Sequence, residues 1–141
     1  MQPQRPVCLA IIGSRSYDNY LAFKQHVAEA CAIWDIVPTS VVSGGATGVD
    51  TLAAMWAEKH NLPMKVHAPA TPMLLEDDDG DADDPVIRTP QTRQAFLERN
   101  RKIIEDADYV IAFPSGTGSG TQHAMSIAEQ LRKPMQIFRI A

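Results

Sequence analysis

Val41-Val42-Ser43-Gly44-Gly45-Ala46-Thr47-Gly48-Val49-Asp50 runs from a β-branched pair through three glycines, after which Leu52, Met55 and Trp56 recur at helical spacing. Strand, glycine turn and helix make one βα step, and the fold class depends on how often the chain repeats it. Upstream, the apolar run Val7-Cys8-Leu9-Ala10-Ile11-Ile12 stops at Gly13, as a strand buried on both faces does, and is read as the first, central strand. Asp18 or Asn19 is placed to cap a helix carrying Phe23, Val27, Cys31 and Trp34 inward, and Pro38 ends that unit.

Downstream, Lys65 to Ala68 reads as a short third strand. The acidic, aperiodic stretch of about 71–89, densest from Glu76 to Asp84, is expected to be a mobile loop. Thr89-Pro90 opens a helix that runs to about Asp106, since threonine caps and proline is tolerated at the first helical position. Tyr109 to Phe113 is a fourth buried strand, Pro114 to Gly120 a second glycine loop, and the next helix has Ala124, Ile127, Ala128 and Leu131 inward. Met135 to Ile140 is the fifth strand. Alternating strands and helices predict a Rossmann-like α/β domain of three layers, with a mostly parallel sheet of about five strands.

The 141 residues fit one domain, 1–141, and 45% hydrophobic content is enough for a real core. Met1 to Pro6 has no apolar signal core and no run approaches the length of a membrane span, so a cytoplasmic protein without membrane partners is expected. Cys8 and Cys31 lie in apolar runs without paired spacing and read as small hydrophobes. A net charge of -4 argues against holding nucleic acid mainly by phosphate neutralisation. No aromatic-basic stripe stands in for it, so nucleic acid is not expected as a partner.

Ligands of such sheets bind beyond the carboxyl ends of the strands, where strand order reverses. Gly13-Ser14-Arg15, Ser43-Gly44-Gly45-Ala46-Thr47-Gly48 with Asp50, and Pro114-Ser115-Gly116-Thr117-Gly118-Ser119-Gly120-Thr121 follow three strands and are expected to converge on that edge. Their glycines let backbone N–H groups approach an anion, and the helix N-termini behind them favour it. Neither glycine loop is a Walker A loop, because no Gly-Lys-Ser/Thr follows. Arg99 and Asn100 share the apolar stripe of Phe96 and Ile103, so a buried partner must meet them, either a carboxylate such as Asp50 or a ligand phosphate. No cofactor or metal is expected. Counting back from Gly80 puts Leu75 at the first position of an EF-hand loop, and His26, His60 and His67 lack ligand spacing.

Through these residues the chain resembles the SLOG superfamily, which joins the DNA-processing protein A (Smf) fold to the Lonely Guy phosphoribohydrolases. Ser43 to Asp50 is similar to the DNA-processing motif SGxAxGID. Arg99-Asn100, Ala107-Asp108, Phe113-Pro114 and Gly120-Thr121 look like the Lonely Guy arginine helix, strand and PGGxGTxxE. Gly13-Ser14-Arg15 with Tyr17-Asp18 resembles the small bacterial and phage members related to YspA. The resemblance implies a nucleotide-binding cytoplasmic domain that senses, sequesters or processes a phosphorylated nucleotide or nucleotide-derived small molecule, and a homo-oligomer, dimer or higher. It aligns Arg99 with the Lonely Guy catalytic arginine, but Ala124 stands where that family has its glutamate, with His123 beside it. Asp50 or His123, both expected to face the cradle, is then the available acid or base for an N-glycosidic hydrolase or transferase. Single-stranded DNA binding is the weaker alternative.

Overall fold

The computed structural model describes residues 6–44, 48–67, 90–115 and 119–139. Five strands, β1 (Cys8–Gly13), β2 (Ser40–Ser43), β3 (Met64–Val66), β4 (Tyr109–Phe113) and β5 (Met135–Ile137), alternate with α1 (Tyr20–Trp34), α2 (Val49–Lys59), α3 (Pro90–Asp106) and α4 (Ser119–Gln130). All pairings are parallel, in the order β3-β2-β1-β4-β5. The chain steps outward from β1 to β3, then returns to the other side of β1 for β4 and β5. The reversal puts a switch point between β1 and β4.

Both faces of the sheet are covered, which is why β1 reads as an unbroken apolar run. Leu9, Ile11, Val41, Ile111 and Phe113 face α1 and α2, meeting Phe23, Val27, Leu52 and Trp56. Ala10, Ile12, Val42, Val110 and Ala112 face α3 and α4, meeting Ile103, Ile104, Ala124, Ile127 and Ala128. Each fully buried Leu, Ile or Phe contributes about 1.5–3 kcal/mol. Phe113 anchors the first layer, with ring centroids 5.1 Å from Phe23 and 5.8 Å from Tyr17.

The helix caps follow local chemistry. Asn19 Oδ1 accepts from Ala22 N at 3.1 Å to start α1, and Asp35 ends it in the left-handed region at φ 56°. The inward face of α1 is Phe23, Val27 and Ala30, with Cys31 and Trp34 half-buried beside it. On α2 the buried stripe is Val49, Leu52, Ala53, Trp56 and Ala57, which leaves Met55 on the flank, 38% exposed rather than inward. Leu131 is half-buried just beyond α4. The third and fifth strands are shorter than expected, ending at Val66 and Ile137. Both thiols are free, and burial pushes each above the ordinary cysteine range, as suits small hydrophobes.

Among the described residues no helix is long and apolar enough to cross a membrane. The acidic stretch 71–89, with the Thr89 cap, lies outside the described residues.

Candidate functional site

At the switch point a cleft opens beyond the carboxyl ends of β1, β2 and β4. Ile12, Gly13, Arg15, Gly44, Asp50, Arg99, Asn100, Ile103, Gly120, Thr121 and Ala124 line it. A larger groove between α1 and α2 is mostly apolar and lies away from the three glycine-bearing junctions. The polar groups converge on the smaller cleft.

Register brings them together. Gly13 pairs with Phe113, so the turns after β1 and β4 leave the sheet at one level. Ser14 then ties three elements: its N–H donates to Phe113 O at 3.1 Å and its carbonyl accepts from Val49 N at 3.0 Å. Gly48 is in the left-handed region at φ 69°, and a Cβ there would overlap the Arg15 backbone. The start of α2 thus lies directly on the β1 turn, an approach open only to glycine.

Arg99 and Asn100 are buried, at 6% and 7% exposure, on the face of α3 that meets the cleft. Arg99 Nη1 donates to Gly44 O at 3.0 Å and its Nε to Asn100 Oδ1 at 3.1 Å. Asn100 Nδ2 donates to Gly120 O at 3.4 Å and faces His123 Nδ1 at 3.3 Å. With the amide as donor, His123 Nδ1 accepts. The guanidinium also lies over the Phe96 ring, 5.2 Å from its centroid. One helix therefore stitches the end of β2 to the start of α4 and holds the guanidinium in place before any ligand arrives. A Cβ on Gly44 would lie 2.9 Å from Arg99 Cζ and 3.2 Å from Asp50 Oδ2, so cation and carboxylate both close on this one glycine.

Of the residues singled out in the sequence, Gly13, Arg15, Gly44, Asp50, Arg99, Asn100, Gly120 and Thr121 share the cleft. Ser14, Ser43, Gly48, Pro114 and Ser115 lie in the same turns without lining it; Ser43 is fully buried, its carbonyl accepting from His67 N at 2.9 Å. Gly45, Ala46, Thr47, Gly116, Thr117 and Gly118 lie outside the described residues, and of Ser119 only its place at the start of α4 is described. His123 does not face the cradle as expected. It lines a separate groove between α3 and α4 with Gln94, Glu98 and Arg101, one helical step round from Ala124. Asp108 lies at the opposite end of the sheet, where it accepts from Cys8 N at 2.8 Å.

Ile12, Ile103 and Ala124 form an apolar floor that residue-type reasoning passed over; Ile103, four residues beyond Arg99, was the available signal. Also unforeseen is a clasp at the end of β3, where His67 Nε2 and Lys65 Nζ lie 2.5 and 3.2 Å from Asp106 Oδ2. The His67 hydrogen bond, followed by the contact with Lys65, holds the Asp106 carboxyl below the usual range.

The sequence pattern of the circularly permutated YpsA SLOG family matches residues 41–141, from β2 through the last strand. The chain belongs to this family. The SLOG match takes in Gly44, Asp50, Arg99, Asn100, Gly120 and Thr121, whereas Gly13 and Arg15, on the β1 side of the cleft, precede it. No curated protein matches the chain in sequence. Among solved structures it is similar to DNA processing protein A from Helicobacter pylori, at 24% identity and a TM-score of 0.58 over 94% of this chain. The chain spans 65% of that protein's chain.

That likeness shows a shared fold, and it corrects one expectation. The Helicobacter protein is described as binding single-stranded DNA. The expectation that nucleic acid is not a partner rested on net charge and on the missing aromatic-basic stripe, and it does not survive a SLOG fold shared with a DNA-binding protein. Net charge is a property of the whole surface, whereas binding depends on the local field of a cleft such as the one holding Arg15 and Arg99.

Proposed function

We propose that this SLOG domain is a nucleotide-related binding module whose switch-point cleft takes a phosphorylated nucleotide or nucleotide-derived ligand, sensing, sequestering or processing it. The observation that carries the reading is the buried Arg99-Asn100 pair, held by Gly44 O and Gly120 O where three strand ends meet. A buried guanidinium beside a cleft favours an anion, and the N-terminus of α4 at Gly120-Thr121 adds N–H groups and a dipole of the same sign. Family membership supports the same ligand class. Titration calorimetry with nucleoside mono-, di- and triphosphates tests it, followed by a structure of the tightest complex. Phosphate is expected against Gly120, Thr121 and Arg99; a nucleotide bound elsewhere with this cleft empty overturns the reading.

Single-stranded DNA is the second reading, favoured by the fold shared with the Helicobacter protein. In it one phosphodiester of a strand occupies the same cleft. Hydrolysis of an N-glycosidic bond has less support, although Arg99 and Asp50 both line the cleft. Ala124, where the Lonely Guy resemblance calls for glutamate, also lines it and offers only a methyl group. Chromatography of nucleoside monophosphates incubated with the protein is expected to show no released base, since a positioned carboxylate contributes several factors of ten to such a step.

A further inference from the structure

His123 lies outside the cleft, yet a cleft residue donates to it. Asn100 Nδ2 faces His123 Nδ1 at 3.3 Å, and the histidine lines the groove between α3 and α4. The other contacts of Asn100 fix which way its amide points. Arg99 Nε can only donate, so the atom 3.1 Å from it is Oδ1; the Gly120 carbonyl can only accept, so Nδ2 lies toward it at 3.4 Å. Turning the amide over would set two donors together at Arg99 and two acceptors together at Gly120. With Nδ2 pointing at the imidazole, Nδ1 must keep its lone pair. Protonation there removes the lone pair and leaves two N–H donors face to face, beside an asparagine that is only 7% exposed.

We propose that His123 is a positioning residue for the cleft, acting through Asn100 on Arg99 and on the first turn of α4, so that anion binding weakens as the imidazole takes up a second proton. The inference rests on the phosphate-binding reading above and adds its regulation by pH. The path is contiguous: Asn100 Oδ1 accepts from Arg99 Nε, whose Nη1 donates to Gly44 O, and Asn100 Nδ2 reaches Gly120 O. Loosening the amide therefore disturbs the guanidinium and the start of α4 together, the two features placed to hold phosphate. Ordinary imidazoles titrate between about pH 5 and 8. Among the described residues the charged groups lining the groove with His123 are Glu98 and Arg101, both from α3 and opposite in sign. Glu98 accepts from Gln94 Nε2 at 3.1 Å, and Arg101 lies 3.6 Å from Glu105. Attraction between an imidazolium and a bound phosphate has the opposite sign. It acts across Asn100 from a groove open to solvent, where it is screened, whereas the clash of donors is at contact distance.

The test is calorimetric titration of the full chain with the tightest binder among the nucleoside mono-, di- and triphosphates, at about pH 8 and about pH 5.5, in the parent, His123→Asn and His123→Leu. Asparagine offers a carbonyl oxygen near the place of Nδ1 and does not titrate. Phosphate itself gains a proton near about pH 6, so the parent is read as a ratio to His123→Asn at the same pH, which cancels the ligand's own titration. That ratio of affinities is expected to fall about tenfold from the higher pH to the lower, the loss attached to one broken hydrogen bond that leaves a buried donor unmet. At the higher pH, His123→Leu is expected to bind about tenfold more weakly than the parent, and His123→Asn to rescue most of that loss. A ratio that does not change with pH, or parent-like affinity in His123→Leu, overturns the inference and leaves the phosphate reading standing. No binding by the parent protein of any member overturns both. Should the variants not fold, as judged by circular dichroism, NMR of the ligand-free parent decides. The Asn100 side-chain amide signals are expected to shift with the same midpoint as the His123 ring, and an Asn100 amide indifferent to that titration overturns the inference.

Discussion

The N-termini of α2 and α4 enter one cleft by the same chain pattern, strand, glycine-bearing turn, helix, yet they differ in the charge that the chain places on them. The α2 end is tied to the β1 turn. Gly48 lies against the Arg15 backbone, Val49 N is taken by Ser14 O, and Asp50 supplies a negative charge of the chain's own. The α4 end has no acid in its first turn, and its Gly120 carbonyl is held by Asn100. A glycine-rich turn before a helix is therefore not by itself an anion site. A carboxylate already on the dipole offsets what the N–H groups of a helix start offer an external anion.

The comparison is most severely tested at Gly48. Gly48→Ala forces a side chain into a left-handed position occupied by the Arg15 backbone, so the β1 turn and the start of α2 must move apart. A loss of about 2–4 kcal/mol is expected from combined strain and overlap, read by denaturant or thermal unfolding. A melt unchanged from the parent would mean that the α2 end is not locked.

Next in size is Arg99→Ala, which removes the guanidinium that reaches Gly44 from α3. Nucleotide affinity is expected to fall on the order of 10–100-fold while the fold survives, because charge-assisted contacts in a dry site are strong. Equal affinity in a well-folded variant would assign Arg99 to structure alone.

Thr121→Glu makes the α4 end electrostatically like α2. Affinity for nucleoside phosphates is expected to drop roughly tenfold, whereas stability rises by about 0.3–1 kcal/mol because an acid now complements the dipole. Opposite signs from one substitution are the signature of an end kept free of acid for an external anion; unchanged affinity would remove the distinction between the two helices.

The smallest effect lies at the clasp on β3, away from both ends. Asp106→Asn breaks the contacts with His67 and Lys65, and because the side chain is 35% exposed, a loss below about 1 kcal/mol is expected at neutral pH. The folded-state pKa of Asp106 is depressed, so its contribution is present above the ordinary carboxylate value of about 4 and fades as pH falls through the lower folded value. The difference in stability between parent and variant should therefore vanish in acid, and cleft binding at neutral pH should be the same in both.

Much of this was legible in the residues. Continuous apolar runs marked β1 and β4, because a strand covered on both faces has no polar side to show. Pro90 and Asp106 bounded α3 as read from its periodicity. Arg99 and Asn100 were conspicuous as polar groups on an apolar stripe, a local conflict that packing had to resolve. Less legible was the sense of each helix face. Met55 and His123 fell on the flanks of their helices, where spacing alone assigns either side and the neighbouring helix decides.

By itself, then, the sequence determined what local physics determines: which segments are strand or helix, where glycine is required to turn, and which polar pair had to be buried with a partner. Only the tertiary structure decided the partners. Arg99 meets Gly44 across 55 positions of chain, His67 meets Asp106 across 39, and the strand order places β1 between β2 and β4 so that both helix ends reach one cleft. Periodicity carries information over a few turns, whereas these contacts are set by how whole layers pack, and no residue's own preferences specify which distant backbone will stand opposite it.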